Sequence, residues 1–292
     1  RFRNVTGVQT CALPISEEVS RRDFVRMAGA AIGGIALGAV GGYSILPAKE
    51  TIITQDVPLE VPEHPWVYAK LDVDKVKERA YAAYFEHGCS YGAFEGIIGE
   101  LQDTVGHPFT SMPTIMSKYG KGGTVGFGTL CGALNGASMA MNLVSTDLNM
   151  VTEIVGEYTE TAYPAWKPVV AKKTDDDLPT SVSGSPLCHV SVTKWCEASG
   201  FGSGSNERKE RCGRLTAEVA GRTVEILNGM ADGTFSAVFA NPDSVTGCNG
   251  CHGDDGNVAN VHAKSDCVQC HADAHERSEE RRVGKECRSR WS

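Results

Sequence analysis

Two short motifs near the C-terminal end of the chain place thiols and imidazoles at a fixed spacing. Both read C-x-x-C-H, and they span residues 248–252 and 267–271. Two thiols at this spacing can each form a thioether with a porphyrin vinyl group, and the following histidine can then coordinate the iron. The pattern predicts two haems c per chain, with His252 and His271 as iron ligands. The attaching cysteines would be Cys248, Cys251, Cys267 and Cys270.

The same four cysteines also fit a zinc site, because two C-x-x-C pairs at this separation are typical of a four-cysteine zinc ribbon. The histidine after each pair favours haem. The composition of residues 241–276 favours it too, since large apolar side chains almost vanish there while Cys, His, Gly, Asp and Asn dominate. Such a segment cannot bury a core of its own, so we expect a cofactor to fill it.

Each haem iron needs a second axial ligand, or else it keeps an open face. His262 lies between the two motifs, and His64 lies in an extended segment from which it could reach a haem of another subunit. We favour these two histidines as second ligands, and His189 is the third candidate. An open iron face would instead indicate a reductase that acts on a small oxidised substrate.

Five cysteines outside these motifs form a second group with possible chemistry. Cys131 begins the motif C-G-A-x-x-G, and Cys89 lies at a predicted helix start, where backbone N–H groups favour the thiolate. The others are Cys188, Cys196 and Cys212. Four thiolates that converge from helix ends would suit an iron–sulfur cluster. Two alternatives remain: the small residues after Cys131 allow close helix packing, and cysteines form disulfides in an oxidising compartment.

Helices are expected to position all of these residues. The expected fold class is all-α, with a helical domain that contains the C-G-A-x-x-G helix and an irregular dihaem segment after it. The polar stretch 172–186 is expected to be a loop, and no strand is predicted. Apolar residues at helical spacing and capping residues predict helices over about residues 72–88, 89–101, 129–144, 147–163 and 206–230.

An export signal is expected ahead of the helical domain. Arg21-Arg22 precedes a weakly apolar run from Met27 to Leu46. Paired arginines before such a run are typical of twin-arginine signals, although a run of this length can also anchor a protein in a membrane. We expect a periplasmic protein whose signal is either cleaved or kept as an anchor. The predicted segments are a signal or anchor (16–48), an extended arm (49–70), the helical domain (71–235) and the dihaem segment (236–276).

The two ends of the chain have a different character. Residues 1–15 and 277–292 resemble translated sequencing-adapter DNA, so they are excluded from fold reasoning. Without them nine of the eleven cysteines remain, and an odd number cannot all pair in disulfides. The formal net charge of −8 becomes more negative. This acidity argues against nucleic acid as a partner.

The two groups of motifs together resemble a known family. A C-G-A-x-x-G helix with flanking cysteines, followed by two C-x-x-C-H motifs, resembles the split-Soret cytochromes c over residues 64–271. The N-terminal part resembles the wider C_GCAxxG_C_C family of redox-active proteins. The resemblance implies a homodimer with four haems grouped at one end, two histidines on each iron, and electron transfer in anaerobic respiration. It implies a four-cysteine set that leaves out Cys196 and contains Cys89, Cys131, Cys188 and Cys212.

Overall fold

The structure of the protein, a computed structural model, describes residues 60–271. The predicted export signal, most of the predicted arm and both adapter-like ends lie outside these residues. All described residues belong to one compact unit. Within them, no helix is both long enough and apolar enough to cross a membrane.

Helices dominate the described part of the chain, which confirms the predicted helical character. Two 3₁₀ helices (Phe109–Ser111 and Thr114–Gly120) and one antiparallel pair of two-residue strands, β1 (Ala162–Tyr163) and β2 (Ser181–Val182), accompany them. The α-helices are α1 (Val73–His87), α2 (Cys89–Thr104), α3 (Gly132–Val144), α4 (Asn149–Glu160), α5 (Cys188–Ser199), α6 (Asn206–Ala231), α7 (Asp243–His252) and α8 (Val268–His271).

Local sequence explains the first two helices. The Asp72 carboxylate accepts hydrogen bonds from the backbone N–H groups of Asp74 and Lys75, which caps α1 at its predicted start. Gly88 ends α1 with a φ of +95°, a conformation that side-chain-bearing residues rarely adopt. The chain therefore turns sharply between α1 and α2, and Cys89 becomes the first residue of α2.

Helices α1, α2, α3 and α6 surround a common core. Small residues let their backbones approach closely: a Cβ added to Gly96 of α2 would lie 2.6 Å from the Cβ of Ala80 on α1. A Cβ on Gly136 of α3 would lie 2.2 Å from the Ser90 carbonyl oxygen on α2. Larger apolar side chains fill the space between the helices, among them Val76, Phe94, Ile97, Leu101, Leu134, Met141, Leu215, Val219 and Leu227.

One buried ion pair fixes the loop after residue 171 to α6. Arg214 and Glu210, both almost fully buried, face each other one helical turn apart, with 3.1 Å between Nε and Oε1. Glu210 also accepts hydrogen bonds from the Tyr81 hydroxyl and the Lys173 N–H, and Arg214 donates to the Thr174 carbonyl. The pair is thus fully hydrogen-bonded, which a buried charge requires if it is not to destabilise the fold.

Several expectations about elements were wrong. The strands β1 and β2 were not predicted, because two-residue pairings have no periodicity to detect. Helix α3 begins at Gly132 and not at residue 129, since residues 129–131 pair with the segment before α5. Helix α5 itself was not predicted, and the segment expected to be irregular contains α7 and α8.

Residues 60–72 contain no helix or strand, but they are not free of the core. Trp66 is buried, and its backbone N–H donates to the Leu143 carbonyl over 2.8 Å. Its indole ring packs edge to face against the Phe109 ring, with 5.3 Å between the ring centroids. The exposed ring of His64 is hydrogen-bonded to the Asn142 carbonyl. The described end of the predicted arm is therefore attached at the end of α3.

The close contact between α2 and α3 generates a stability prediction. Gly136→Ala should lower the free energy of unfolding by about 1–3 kcal/mol, because the new methyl meets the backbone of Ser90 with no room to move. Gly229→Ala on α6 is the matched control, because the new Cβ would have no neighbour closer than 3.6 Å. This substitution should stabilise the helix by up to about 1 kcal/mol. Urea unfolding followed by circular dichroism measures both. Equal stability of the two variants would contradict the packing argument.

Candidate functional site

Cys89 and Cys131 meet because their helices start side by side. Cys89 is the first residue of α2, and Cys131 is the N-cap residue of α3. A Cβ on Gly132 would lie only 2.4 Å from the Cys89 Sγ, so this sulfur lies directly against the first turn of α3. Gly132, the first glycine of the C-G-A-x-x-G motif, thus allows both close helix packing and the approach of the two thiols.

Cys188 joins Cys131 through a short antiparallel pairing. The Cys131 N–H donates to the Pro186 carbonyl over 2.8 Å, and the Cys188 N–H donates to the Thr129 carbonyl over 2.7 Å. These bonds hold the first residue of α5 beside the N-cap of α3. Residues 57 positions apart in the sequence are thereby brought together.

Four thiols act on one another electrostatically at this point. Burial, together with the neighbouring Cys131 and Cys212, raises the pKa of Cys89 to about 12. Burial, together with repulsion from Cys131, Cys89 and Cys212, likewise raises the pKa of Cys188 to about 12. Burial also raises the pKa of Cys131. We call these four residues the thiol cluster. Without a positive partner Cys89, Cys131 and Cys188 would stay protonated at neutral pH, whereas bound iron would stabilise the thiolates.

Cys196 is on α5, two turns after Cys188, and it is not among the charges that act most on Cys89, Cys131 and Cys188. It lies near the edge of the thiol cluster, because Arg208 is hydrogen-bonded to Cys212 and also interacts with Cys196. The structure therefore groups the same four cysteines that the family resemblance implied. All nine cysteines among residues 60–271 are free thiols, so the disulfide alternative finds no support in this part of the chain.

A hydrogen-bond network leads away from the thiol cluster. The Tyr158 hydroxyl is hydrogen-bonded to Ser191 Oγ over 2.8 Å and also to Cys131. The bond to Cys131 lowers the pKa of that thiol, in opposition to burial, which raises it. Arg211 donates from Nη2 to Ser191 Oγ over 2.9 Å, and its Nη1 lies 3.8 Å from the Cys212 sulfur. A tyrosine and an arginine thus contact two of the four thiols.

Arg211 is the residue that sequence reasoning missed. Its side chain is 2% exposed, and its Nε has no hydrogen-bond partner among the described residues. A buried guanidinium with an unpaired N–H is costly unless a negative group lies nearby. The thiolates of the thiol cluster would supply that charge. The adjacency of Arg211 to Cys212 was the available signal, but adjacent residues on a helix do not normally face the same way.

Both C-x-x-C-H motifs line a single cavity of about 460 Å³. Helix α7 contains the first motif and α8 the second, and the thiols of Cys248 and Cys267 are hydrogen-bonded to each other. Five of the six cysteines and histidines of the two motifs line it, together with part of α5 and the chain before it, whereas Cys251 is exposed and is not part of the lining. The five are Cys248, His252, Cys267, Cys270 and His271, with Ser185, Leu187 and Val190 from the helical part.

The predicted second iron ligands lie outside the cavity wall. His262 is on the loop between the motifs, almost fully exposed, with its Nδ1 3.4 Å from an Asp254 carboxylate oxygen. His189 is exposed at the start of α5, and its ring is hydrogen-bonded to the Gly128 carbonyl. Its neighbours Leu187 and Val190 line the cavity. His64 is at the end of α3, as described above.

Metal-ligand geometry separates the two interpretations of the C-x-x-C pairs. Among residues 60–271, no three or more Cys, His, Asp or Glu side chains lie close enough together to hold a single metal ion. The pairs are thus not arranged as a four-cysteine zinc ribbon. The same finding applies to the thiol cluster, which is not arranged around a single metal ion either.

Comparisons with known proteins agree with this arrangement. The C_GCAxxG_C_C family of redox-active proteins matches residues 91–226. The split-Soret cytochrome c of Desulfovibrio desulfuricans is 36% identical over 268 residues, which cover 87% of this chain and 95% of that protein. A solved structure of the Desulfovibrio desulfuricans ATCC 27774 cytochrome, described as having a novel iron centre, superposes with a TM-score of 0.67 at 38% identity. It covers 70% of this chain and 90% of the solved one. The chain therefore belongs to the split-Soret cytochrome c family.

Proposed function

We propose that this chain is an electron-transfer cytochrome with two covalently bound haems c and an iron–sulfur cluster. The observation that carries the proposal is the cavity lined by both C-x-x-C-H motifs. A cavity walled by two haem-attachment motifs, in a segment with almost no apolar side chains of its own, has the chemistry that haem requires. When bound, haem supplies reversible one-electron uptake at its iron.

The chain's own residues would hold each haem in a defined way. Cys248 and Cys251 would attach one haem, and His252 would coordinate its iron. The second imidazole nitrogen of His252 lies 3.0 Å from the Asn260 side-chain oxygen, which orients the ring. Cys267 and Cys270 would attach the other haem, with His271 as its iron ligand. Membership of a cytochrome c family supports these roles.

The thiol cluster would hold the iron–sulfur cluster. A relative whose structure is described as having a novel iron centre supports an iron centre here as well. The four free thiols supply the ligands, and buried Arg211 supplies a positive charge that offsets the net negative charge of four thiolates. Cys131 is buried and the other three thiols are half-buried, so the site is partly shielded from water, which strengthens this electrostatic effect.

The two cofactor sites are neighbours in the structure. Leu187 lines the haem cavity, and the next residue, Cys188, belongs to the thiol cluster. Only one peptide unit separates the two walls at this point. This proximity supports electron transfer within the chain, between the iron–sulfur cluster and the haems, and it favours an electron carrier over a reductase with an open iron face.

The setting of the protein is also a proposal. The paired arginines and the apolar run after them support export by the twin-arginine route, because that route carries proteins that fold around their metals before they cross the membrane. We propose a periplasmic homodimer that acts in anaerobic respiration, as the family resemblance implies. Whether the signal is cleaved or remains as an anchor is read from the mass of the purified protein.

The first prediction concerns covalent haem. Protein produced in a host that matures cytochromes c should contain two haems per chain, measured by intact mass and by the pyridine haemochrome spectrum. Cys251→Ala and Cys270→Ala should each lower the covalent haem content at one site, because each removes one of two thioethers. Cys196→Ala is the control that should retain both haems. A chain with no haem adducts in such a host would refute the central proposal.

The second prediction concerns the second axial ligand. His262→Met should raise the potential of one haem by on the order of 0.1 V, since a thioether stabilises ferrous iron relative to imidazole. His189→Met and His64→Met are the comparison variants, and whichever of the three shifts a potential identifies a ligand. Spectroelectrochemical titration measures all of them. An unchanged titration curve for His262→Met removes this residue from the set of ligands.

The third prediction concerns the thiol cluster. Anaerobic preparations should contain acid-labile sulfide and more iron than two haems account for. Cys131→Ser should remove nearly all of this extra iron and leave the haem content unchanged, because the haem motifs are in a separate segment. Cys196→Ser should retain the extra iron, since that thiol lies outside the thiol cluster. Iron equal to haem in the parent protein would contradict the iron–sulfur proposal and leave the dihaem proposal intact.

A further inference from the structure

An open cleft of about 520 Å³ lies between the end of α1, the loop after the second 3₁₀ helix and the first turn of α6. Its rim is strongly basic, and Glu86 is the one acidic residue that lines it. We call this surface the basic cleft. Its cationic side chains are Lys121, Lys172, Lys173, Arg208 and Lys209.

None of these five cations forms an ion pair within residues 60–271. Arginines elsewhere in the described structure do: Arg79, Arg214 and Arg222 each face at least one carboxylate. The whole chain carries a formal charge of −8, so carboxylates are plentiful. A cluster of cations that remains unpaired in an acidic protein creates a local positive field, and such a field attracts an acidic partner.

The floor of the basic cleft lies directly over the thiol cluster. Tyr84 and Phe85 line the cleft, and both rings pack against Gly213, where an added Cβ would lie 2.9 Å from the Phe85 ring. Gly213 follows Cys212 in α6. Gly88, also in the cleft wall, precedes Cys89 in the chain. The cleft is therefore separated from two of the four thiols by a single layer of residues.

Tyr84 shows how close the two sites are. Burial raises the pKa of its hydroxyl, and the charges of Cys212 and Cys89 raise it further. One aromatic side chain thus contacts the solvent-facing cleft on one side and the environment of the thiol cluster on the other. The basic cleft thus combines a short distance to the thiol cluster with a strong positive charge.

We infer that the basic cleft is the docking site of an acidic electron-transfer protein that exchanges electrons with the iron centre of the thiol cluster. This inference rests on the proposed function. The four lysine ammonium groups make no hydrogen bond within the described residues, so they are not fixed as convergent donors around a small anion. Flexible, hydrated lysines on an open surface are suited instead to steering a protein with an acidic face.

The proposed step transfers one electron from the partner to this chain. The reduced partner is oxidised by one unit, and one ferric iron held by this chain would become ferrous. No covalent bond forms or breaks. Gly88 of the cleft wall precedes Cys89, and Leu187 of the haem cavity wall precedes Cys188, so the thiol cluster adjoins both and would relay an electron from the basic cleft to a haem.

The test uses the full chain with its cofactors and a reduced acidic [2Fe–2S] ferredoxin of the plant type as the probe. Stopped-flow mixing measures the second-order rate of reduction at low and high ionic strength. The variant is Lys172→Gln/Lys173→Gln, because the contacts that these residues make to Tyr81 and Glu210 come from backbone N–H groups and survive the change. The matched control is Lys75→Gln/Lys264→Gln, which removes the same charge from exposed positions outside the cleft, one of them beside the dihaem segment.

Three results are expected if the inference is right. The cleft variant should react about fivefold or more slowly than the parent at low ionic strength, and the control should match the parent. The difference should disappear at about 0.5 M salt, where screening shortens the range of the field. Reduction by photoreduced lumiflavin, a small uncharged reductant, should be equal in all three proteins, which shows that the cofactors are intact.

Other results would overturn the inference. Equal rates for the cleft variant and the parent would exclude docking at the basic cleft, and a slower control would place docking near the haems. If inorganic phosphate, added at constant ionic strength, binds saturably and changes the paramagnetic resonance spectrum of the iron centre, the cleft is a small-anion site. A parent protein that lacks haem and sulfide-bound iron before mixing would refute the proposed function itself, and the inference with it.

Discussion

The close approach of α2 and α3 is the constraint on which the rest of the structure depends. Two glycines of α3 make this approach possible. A Cβ on Gly132 would lie 2.4 Å from the Cys89 sulfur of α2, and a Cβ on Gly136 would lie 2.2 Å from the Ser90 carbonyl oxygen. Larger residues at these positions would push the helices apart and separate the first two thiols. The helix contact that forms the core therefore also forms the centre of the thiol cluster, so one interface serves both stability and the proposed iron site.

Grouping these thiols away from bulk water creates an electrostatic problem that the surrounding residues answer in part. Burial and mutual repulsion raise the pKa values of Cys89, Cys131 and Cys188, so the protein without a cofactor disfavours the thiolates that iron needs. Arg211 provides a fixed positive charge within the same core. The bound iron of the proposed cluster would supply the remaining charge, and its binding energy would then also stabilise the fold around it.

The dihaem segment depends on its neighbours in a different way. Polar contacts join it to the helical part: Gln269 donates to the Gly184 carbonyl, and Lys264 donates to Thr152. Its apolar contribution is small: the Phe239 ring packs against Gly156 of α4, and Val245 of α7 is buried. A segment with so few buried apolar side chains gains little from burial, so covalently attached haem would supply most of its order. The residues between Gly184 and Cys188 then serve both sites at once.

The sequence by itself determined the chemistry of the haem motifs, because residues three and four positions apart have a fixed relation wherever they lie. It also determined the cap at Asp72 and the long helices, since these follow from local hydrogen bonds and helical periodicity. Only the tertiary structure showed how the starts of α2, α3 and α5 meet, that Arg211 lies beside Cys212, and that five cations without an ion pair among residues 60–271 share one cleft. These residues come from segments far apart in the chain. How close they lie to one another depends on helix packing, which the small residues at the helix contacts control.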